Sequence, residues 1–348
     1  MKFLSLLLTL LTAAVCAVAY TNPVVDASTP DPWMQLWNGN YYLTFTTGGD
    51  VTIYRCSSLT NCHSPASKSV FTPASNTLYA LWAPELHDVN GNWYIFFAAQ
   101  DHNDNSDNQN HHMYVLKGPA STAAPDSDNY SFVAKVSGIS AWAIDGTVFT
   151  LNNQLYMVYS GWPAGDTSSL NQHLFITQLS NDASGAPTVG GSAVEIAAPQ
   201  YDWETFTDSG GTKHAINEGP AFLSRNGFNG ILFSGCASWS SCYSIGVLEF
   251  TGSDPMSASS WTKWSDRWWQ SNPNGPYGTG HCSMTTSADG TQDWMVFHAT
   301  STSYTGNESG TPGWNGRLAR TQIISFDSNG KPVGGWPIAD GSTQGDPA

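Results

Sequence analysis

Four residues able to do chemistry stand at matching places in segments far apart along the chain. Asp31 sits in PDP, Asp145 in IDGTVF, Glu218 in EGPAF and His281 in GTGHCS. Carboxyl groups held in two protonation states can work as a pair: one takes a proton from water, and the other delivers a proton to a departing oxygen. An imidazole among them can carry charge, hold a hydrogen bond or ligate a cation. Other catalytic patterns leave no trace, since the chain has no G-x-S-x-G elbow, H-E-x-x-H helix or Walker loop.

The elements that would bring these residues together are visible as an internal repeat. Each copy reads as a short strand, a polar turn and an aromatic-rich strand. The copies are DPWMQLWNGNYYLTFTT from Asp31, APELHDVNGNWYIFFAA from Ala83, DGTVFTLNNQLYMVYSG from Asp145, EGPAFLSRNGFNGILFSG from Glu218 and HCSMTTSADGTQDWMVFHA from His281. Their turns are the Asn- and Gly-rich punctuation of antiparallel hairpins. Hydrophobic alternation within the strands is imperfect, as expected when both faces are buried. No window sustains a capped helical period, so the fold class is all-β. Repeats of this size have room for four strands each and predict a five-bladed β-propeller. The innermost strand of each blade would start at one end of a central channel. Asp31, Ala83 (followed by Glu85), Asp145, Glu218 and His281 would therefore converge there.

The ordered set PDP, WAPE (Trp82 to Glu85), IDGTVF, EGPAF and GTGHCS resembles glycoside hydrolase family 43, over the stretch from about Asp26 to Gly335. The resemblance implies a five-bladed propeller and an inverting hydrolase of arabinofuranosides and xylosides. It matches Asp31 to the general base, Asp145 to the carboxylate that tunes the acid, and Glu218 to the general acid. His281 matches the histidine at the channel centre, which implies one structural calcium or sodium ion nearby; no organic cofactor is implied. The chemistry is sound on its own terms. Inversion needs the two carboxyl groups on opposite sides of the sugar, roughly 6.5–9.5 Å apart, with room for a water. Glu218 must then stay protonated through burial or a neighbouring charge, and Asp145 could supply that charge. Prolines on both sides of Asp31 restrict its backbone.

Trp82 and Trp162 are expected to line the sugar pocket, although blade packing must absorb many of the 15 Trp. Arg317 in NGRLARTQ matches the family's pocket arginine by its spacing to Gln322, with Arg320 as the rival. Glu85 reads as structural, and Trp261, Trp264, Trp268 and Trp269 as packing. The polar loop Asp101 to His112 reads as a solvated rim. His281 is either a metal ligand or bonded to the carboxylates through water. The stretches LWAPELH, HHMYVLKGP and AWAIDGTVF point within the family to exo-acting α-L-arabinofuranosidases of α-1,5-linked arabinan. Endo-1,5-α-L-arabinanase and β-xylosidase are the alternatives. A non-catalytic carbohydrate-binding propeller is the different class, disfavoured because binding alone does not need Asp31, Asp145 and Glu218 together.

Composition agrees. The 348 residues carry 12 Lys plus Arg against 27 Asp plus Glu, a net charge of −15, which excludes nucleic acid and anionic membrane as partners. Lys2, the apolar run Leu4 to Val15 and Ala17-Val18-Ala19 read as a signal peptide over residues 1–19. The remaining 20–348 would form one secreted, extracellular catalytic domain, acting as a monomer on plant cell-wall arabinan or arabinoxylan. Cys56 with Cys62 and Cys236 with Cys242 have the same spacing and predict two local disulfides, leaving Cys282 unpaired. Asn129 and Asn307 are glycosylation acceptors by sequence.

Overall fold

The computed structural model describes residues 19–347 apart from 76, 103–109, 140–141, 165, 167–169 and 307–314. The signal peptide read over 1–19 lies outside these residues but for Ala19, as do Asn307 and the centre of the Asp101–His112 loop. After β1 (Ala19–Tyr20), the chain runs through antiparallel meanders that follow the repeats. The first is β2 (Trp33–Trp37), β3 (Asn40–Thr44), β4 (Val51–Cys56) and β5 (Ala66–Phe71); the second is β6 (Tyr79–Val89), β7 (Asn92–Gln100), β8 (His111–Ala120) and β9 (Ser131–Lys135). The third, β10 (Ala143–Leu151), β11 (Gln154–Gly161) and β12 (Asn171–Ser180), carries the short strands β13 (Val189–Gly190) and β14 (Val194–Ala197) on its edge. The fourth comprises β15 (Thr205–Thr207), β16 (Lys213–Arg225), β17 (Phe228–Gly235), β18 (Ser244–Phe250) and β19 (Trp261–Lys263). A parallel bridge from β12 to β16 joins the third and fourth into one sheet. The last comprises β20 (Tyr277–Thr286), β21 (Asp293–Thr300) and β22 (Leu318–Ile324), and β23 (Gln344–Gly345) pairs with β1.

Local chemistry accounts for the hairpins. Asn38-Gly39, Asn90-Gly91, Asn152-Asn153 and Asn226-Gly227 all have positive φ at both turn positions. This is the geometry of two-residue turns whose twist matches the flanking strands, and Asn and Gly tolerate it best. The strands behind these turns are buried on both faces; Trp93 through Ala99 of β7 are all within the core.

The core lies between the sheets. Tyr42, Val51 and Ile53 of the first meander pack on Leu86, Ile95 and Phe97 of the second. Phe96 and Val115 meet Ile144, Val148 and Met157, and Phe149 and Val158 meet Ile231 and Phe233. Leu232 and Val247 meet Met295 and Phe297, and Trp294 and Val296 return to Met34, Tyr41 and Leu43. The last sheet thus packs on the first. Bonds between neighbouring sheets follow the same cycle. Trp33 Nε1 donates to Leu86 O at 2.8 Å, Gly219 N donates to Asp145 Oδ2 at 3.0 Å, His281 N donates to Ser234 Oγ at 2.8 Å, and Met34 N donates to Ser283 Oγ at 3.1 Å. The N-terminal segment seals the join, since Val24 N bonds Ala319 O and Asn22 Nδ2 bonds Thr321 O.

Candidate active site

Four of the repeats' first strands are irregular where they meet this ring, and Asp31 just precedes the other. Asp31, Ala83, Asp145, Gly219 and His281 have φ between 44° and 58°, a region that L-residues adopt at a cost of about 1–2 kcal/mol. In β6, β10, β16 and β20 the pairing register shifts at these positions. Such bulges re-aim side chains, and strain of this kind clusters at functional sites. The alignment drawn from sequence differs by one residue in the fourth repeat: Gly219, not Glu218, takes the left-handed position. Glycine suits that position, since a Cβ would stand 3.0 Å from the His281 ring and the φ favours glycine.

Asp31, Trp82, Asp145, Glu218, His281 and Arg317 line one pocket of about 470 Å³, a volume suited to a small ligand. Asp31 is the best-connected group. Its Oδ2 accepts from Thr46 Oγ1 at 2.6 Å, and its Oδ1 lies 3.2 Å from Arg317 Nη1 and 3.3 Å from His281 Nδ1. His298 Nδ1 also comes within 3.5 Å of Oδ1, but it accepts the Asp31 N–H at 3.0 Å. That contact is therefore no ion pair, and burial holds His298 neutral by lowering its pKa well below the usual value. Burial alone would raise the pKa of Asp31. The Arg317 and His281 charges outweigh it, leaving the carboxyl well below its ordinary range.

Glu218 is pushed the other way. Burial first, and then the Asp145 charge, raise it to about 8, although Tyr243 Oη donates to its Oε1 at 2.8 Å. Burial also lifts Asp145 to about 6, against the pull of His281 and the N–H of Gly219. Burial would discharge His281, but the charges of Asp31 and Asp145 raise it to about 9. At neutral pH the pocket therefore presents an ionised Asp31, a protonated Glu218 and an imidazolium between carboxylates. It can take up one proton and give another.

The residues around His281 do not make a metal cage. Among the described residues no group of three or more His, Cys, Asp or Glu could hold an ion. His281 Nδ1 faces Asp31, and its positive charge already does the balancing that a cation would do.

Trp82 stacks on the buried His111 at 3.8 Å, while Trp162 lies behind the pocket wall, stacked at 4.7 Å on Trp142, which lines it. Between the rival arginines, Arg317 faces the pocket. Arg320 is buried, forked onto Asp340 at 2.9 and 2.8 Å, and donates to the carbonyls of Ala299 and Leu318. Glu85 is off the pocket and bonded to His87 at 2.8 Å; burial raises Glu85 and lowers His87 to about 3, so this is a bond between neutral groups. Trp261, Trp268 and Trp269 are core residues with Trp264 packed against them. Both disulfides form, Cys56–Cys62 and Cys236–Cys242, and Cys282 is buried and free.

Sequence reasoning missed Trp142, Trp239, Thr46 and Tyr243. Trp142 had a signal, because WAPE and WAID place a Trp three residues before an acid in consecutive repeats. Trp239 and Ser238 reach the pocket from the loop closed by Cys236–Cys242. Nothing in the spacing of that loop tells which way its residues face.

Known proteins align with this arrangement. The family model described as glycosyl hydrolases family 43 matches residues 20–332. An extracellular exo-α-(1→5)-L-arabinofuranosidase of Streptomyces avermitilis is 30% identical over 94% of the chain, which spans 65% of that protein's length. One of the same name from Streptomyces chartreusis is 28% identical over 82% of the chain and 84% of its own length. Among solved structures, an α-L-arabinofuranosidase from Lactobacillus brevis superposes with a TM-score of 0.81 at 27% identity, covering 93% of this chain and 98% of that one. An endo-arabinase from Bacteroides thetaiotaomicron, at 15% identity over 90% of this chain and 99% of that one and a TM-score of 0.66, shares the fold.

Proposed function

The chain belongs to glycosyl hydrolases family 43 and is a glycoside hydrolase, and from that premise we propose that it is a secreted, inverting exo-α-L-arabinofuranosidase that releases L-arabinose from α-1,5-linked arabinan or its oligosaccharides. The observation that carries the reading is the opposite treatment of two carboxyl groups in one pocket, Asp31 held ionised and Glu218 held protonated. In this mechanism Asp31 removes a proton from water as the water attacks the anomeric carbon. Glu218 gives its proton to the glycosidic oxygen as that bond breaks. Burial and the Asp145 charge keep Glu218 protonated, and Asp145 accepts the Gly219 N–H. Arg317 and His281 orient Asp31. Trp82 and Trp142 offer flat faces to the apolar side of the sugar.

The names of the Streptomyces and Lactobacillus proteins favour arabinofuranoside as the substrate. A secreted location is supported by those names and by the two disulfides. The cyclic packing of the sheets supports a five-bladed propeller over 20–348. The reading needs no metal.

A time course on linear 1,5-arabino-oligosaccharides followed by anomeric NMR tests it. Arabinose alone, appearing first as the β-anomer, is expected. Early oligosaccharide products would reject exo action, and a first-formed α-anomer would reject inversion.

A further inference from the structure

We propose that the buried pair Lys263 and Glu204, which lies off the pocket, is a brace that positions Glu218 through Asn217. The proposal rests on Glu218 being the acid. Lys263 closes β19, and Glu204 sits in a single 3-10 turn just before β15. Their side chains are 3% and 0% exposed, and neither lines the pocket.

Lys263 Nζ has three protons and three acceptors: Glu204 Oε1 at 2.5 Å, Asn217 Oδ1 at 2.6 Å and Ala198 O at 2.6 Å. Glu204 Oε2 accepts from the N–H groups of Gln200 and Tyr201, and its Oε1 accepts from Asn217 Nδ2 at 2.9 Å. Both ends of the Asn217 amide are thus gripped by the ion pair. Its backbone carbonyl accepts from Ser160 Oγ of β11 at 2.9 Å. The next residue is Glu218, and the one after it, Gly219, is tied to Asp145. The left-handed turn at Gly219 that aims Glu218 is therefore clamped on both sides.

Burying an ion pair is a poor way to gain stability, since well-packed apolar residues do as well. What it does supply is fixed geometry from charge-assisted bonds. The charges that bear most on Glu218 are those of Asp145, His281 and Asp31, and the brace reaches it through the position of Asn217. A displacement of about 1 Å in a reacting group can cost about 10²-fold.

The test compares linear arabino-oligosaccharide with an aryl α-L-arabinofuranoside whose leaving group needs no proton. Lys263→Met, and Lys263→Met with Glu204→Gln so that no lone charge is buried, are expected to lower kcat on the oligosaccharide by about 10- to 100-fold. The aryl substrate is expected to change by less than about threefold, and the alkaline limb of the pH profile on the oligosaccharide is expected to stay in place. Asn217→Ala keeps the ion pair and removes only its grip, and carries the same comparison if the lysine variants do not fold. Equal losses on both substrates, or no loss, in a variant with native circular dichroism would overturn the brace. Glu218→Gln run alongside separates two failures. If it spares the aryl substrate and the brace variants do not, only the brace fails. If it loses both substrates equally, the acid assignment fails and the brace with it.

Discussion

Asp31 and Glu218 are both buried carboxyl groups, and their neighbours alone decide that one ionises and the other does not. Asp31 meets two cationic groups and a hydroxyl, whereas Glu218 meets the Asp145 charge and a tyrosine hydroxyl. In the proposed reaction, Glu218 must be protonated, so activity on a natural glycoside is lost as pH rises through about 8. The base fails only when Asp31 is protonated, which places the acid limb below the ordinary carboxylate range. Each limb then has its own lever. Asp145→Asn removes a negative charge beside Glu218 and is expected to move the alkaline limb to lower pH. Arg317→Met removes a positive charge beside Asp31 and is expected to move the acid limb to higher pH. Profiles of kcat/KM on an arabino-oligosaccharide check both; a limb that stays put in its own variant refutes the corresponding assignment.

At the scale of the element, the pocket is built from strand entries and one stapled loop. Asp145 and Glu218 lie on β10 and β16 and Asp31 just before β2, each at or beside a left-handed residue. The loop Cys236–Cys242 follows β17 and carries Ser238 and Trp239 to the pocket. Trp239 meets Phe206 and His214 edge-on at 6.1 and 6.0 Å, so the disulfide and these rings fix its place together. Replacing both cysteines by serine frees the loop. Re-ordering a side chain on binding costs about 0.5–1.5 kcal/mol, or about a factor of 2 to 12. KM on the oligosaccharide is expected to rise within that range, measured by initial rates. The change in kcat is expected to be smaller, because Tyr243 beside the loop is stacked on His298 at 5.6 Å. A fall in kcat with KM unchanged would show that the loop serves the chemistry rather than binding.

Over the whole molecule, each sheet buries its faces against the next, and the ring closes where the last sheet meets the first. Val24, fully buried, sits in that seam with Leu59, Trp294 and Ala319. Val24→Ala is expected to cost roughly 2 kcal/mol by lost burial and the cavity left behind. Loss of the seam weakens packing of both the first and last sheets. Thermal unfolding followed by near- and far-UV circular dichroism is therefore expected to shift as one transition. Separate transitions would mean that the sheets near the seam unfold on their own.

The sequence by itself determined what depends on short-range pattern. Asn-Gly and Asn-Asn turns between aromatic strands require hairpins through their φ values, and two Cys at equal short spacing can meet with little chain between them. The repeat also put Asp31, Asp145, Glu218 and His281 at corresponding places, to within one residue at Glu218. Only the tertiary structure decided what depends on facing. Trp142 and Trp162 are equally aromatic and stack on each other, but one faces the pocket and the other backs it. Arg317 and Arg320 lie three residues apart, one against Asp31 and the other against Asp340. Lys263, Glu204 and Asn217 come from separate elements and carry no shared motif. Side-chain direction past a bulge and pairing across sheets arise from packing between distant segments, which no local spacing encodes.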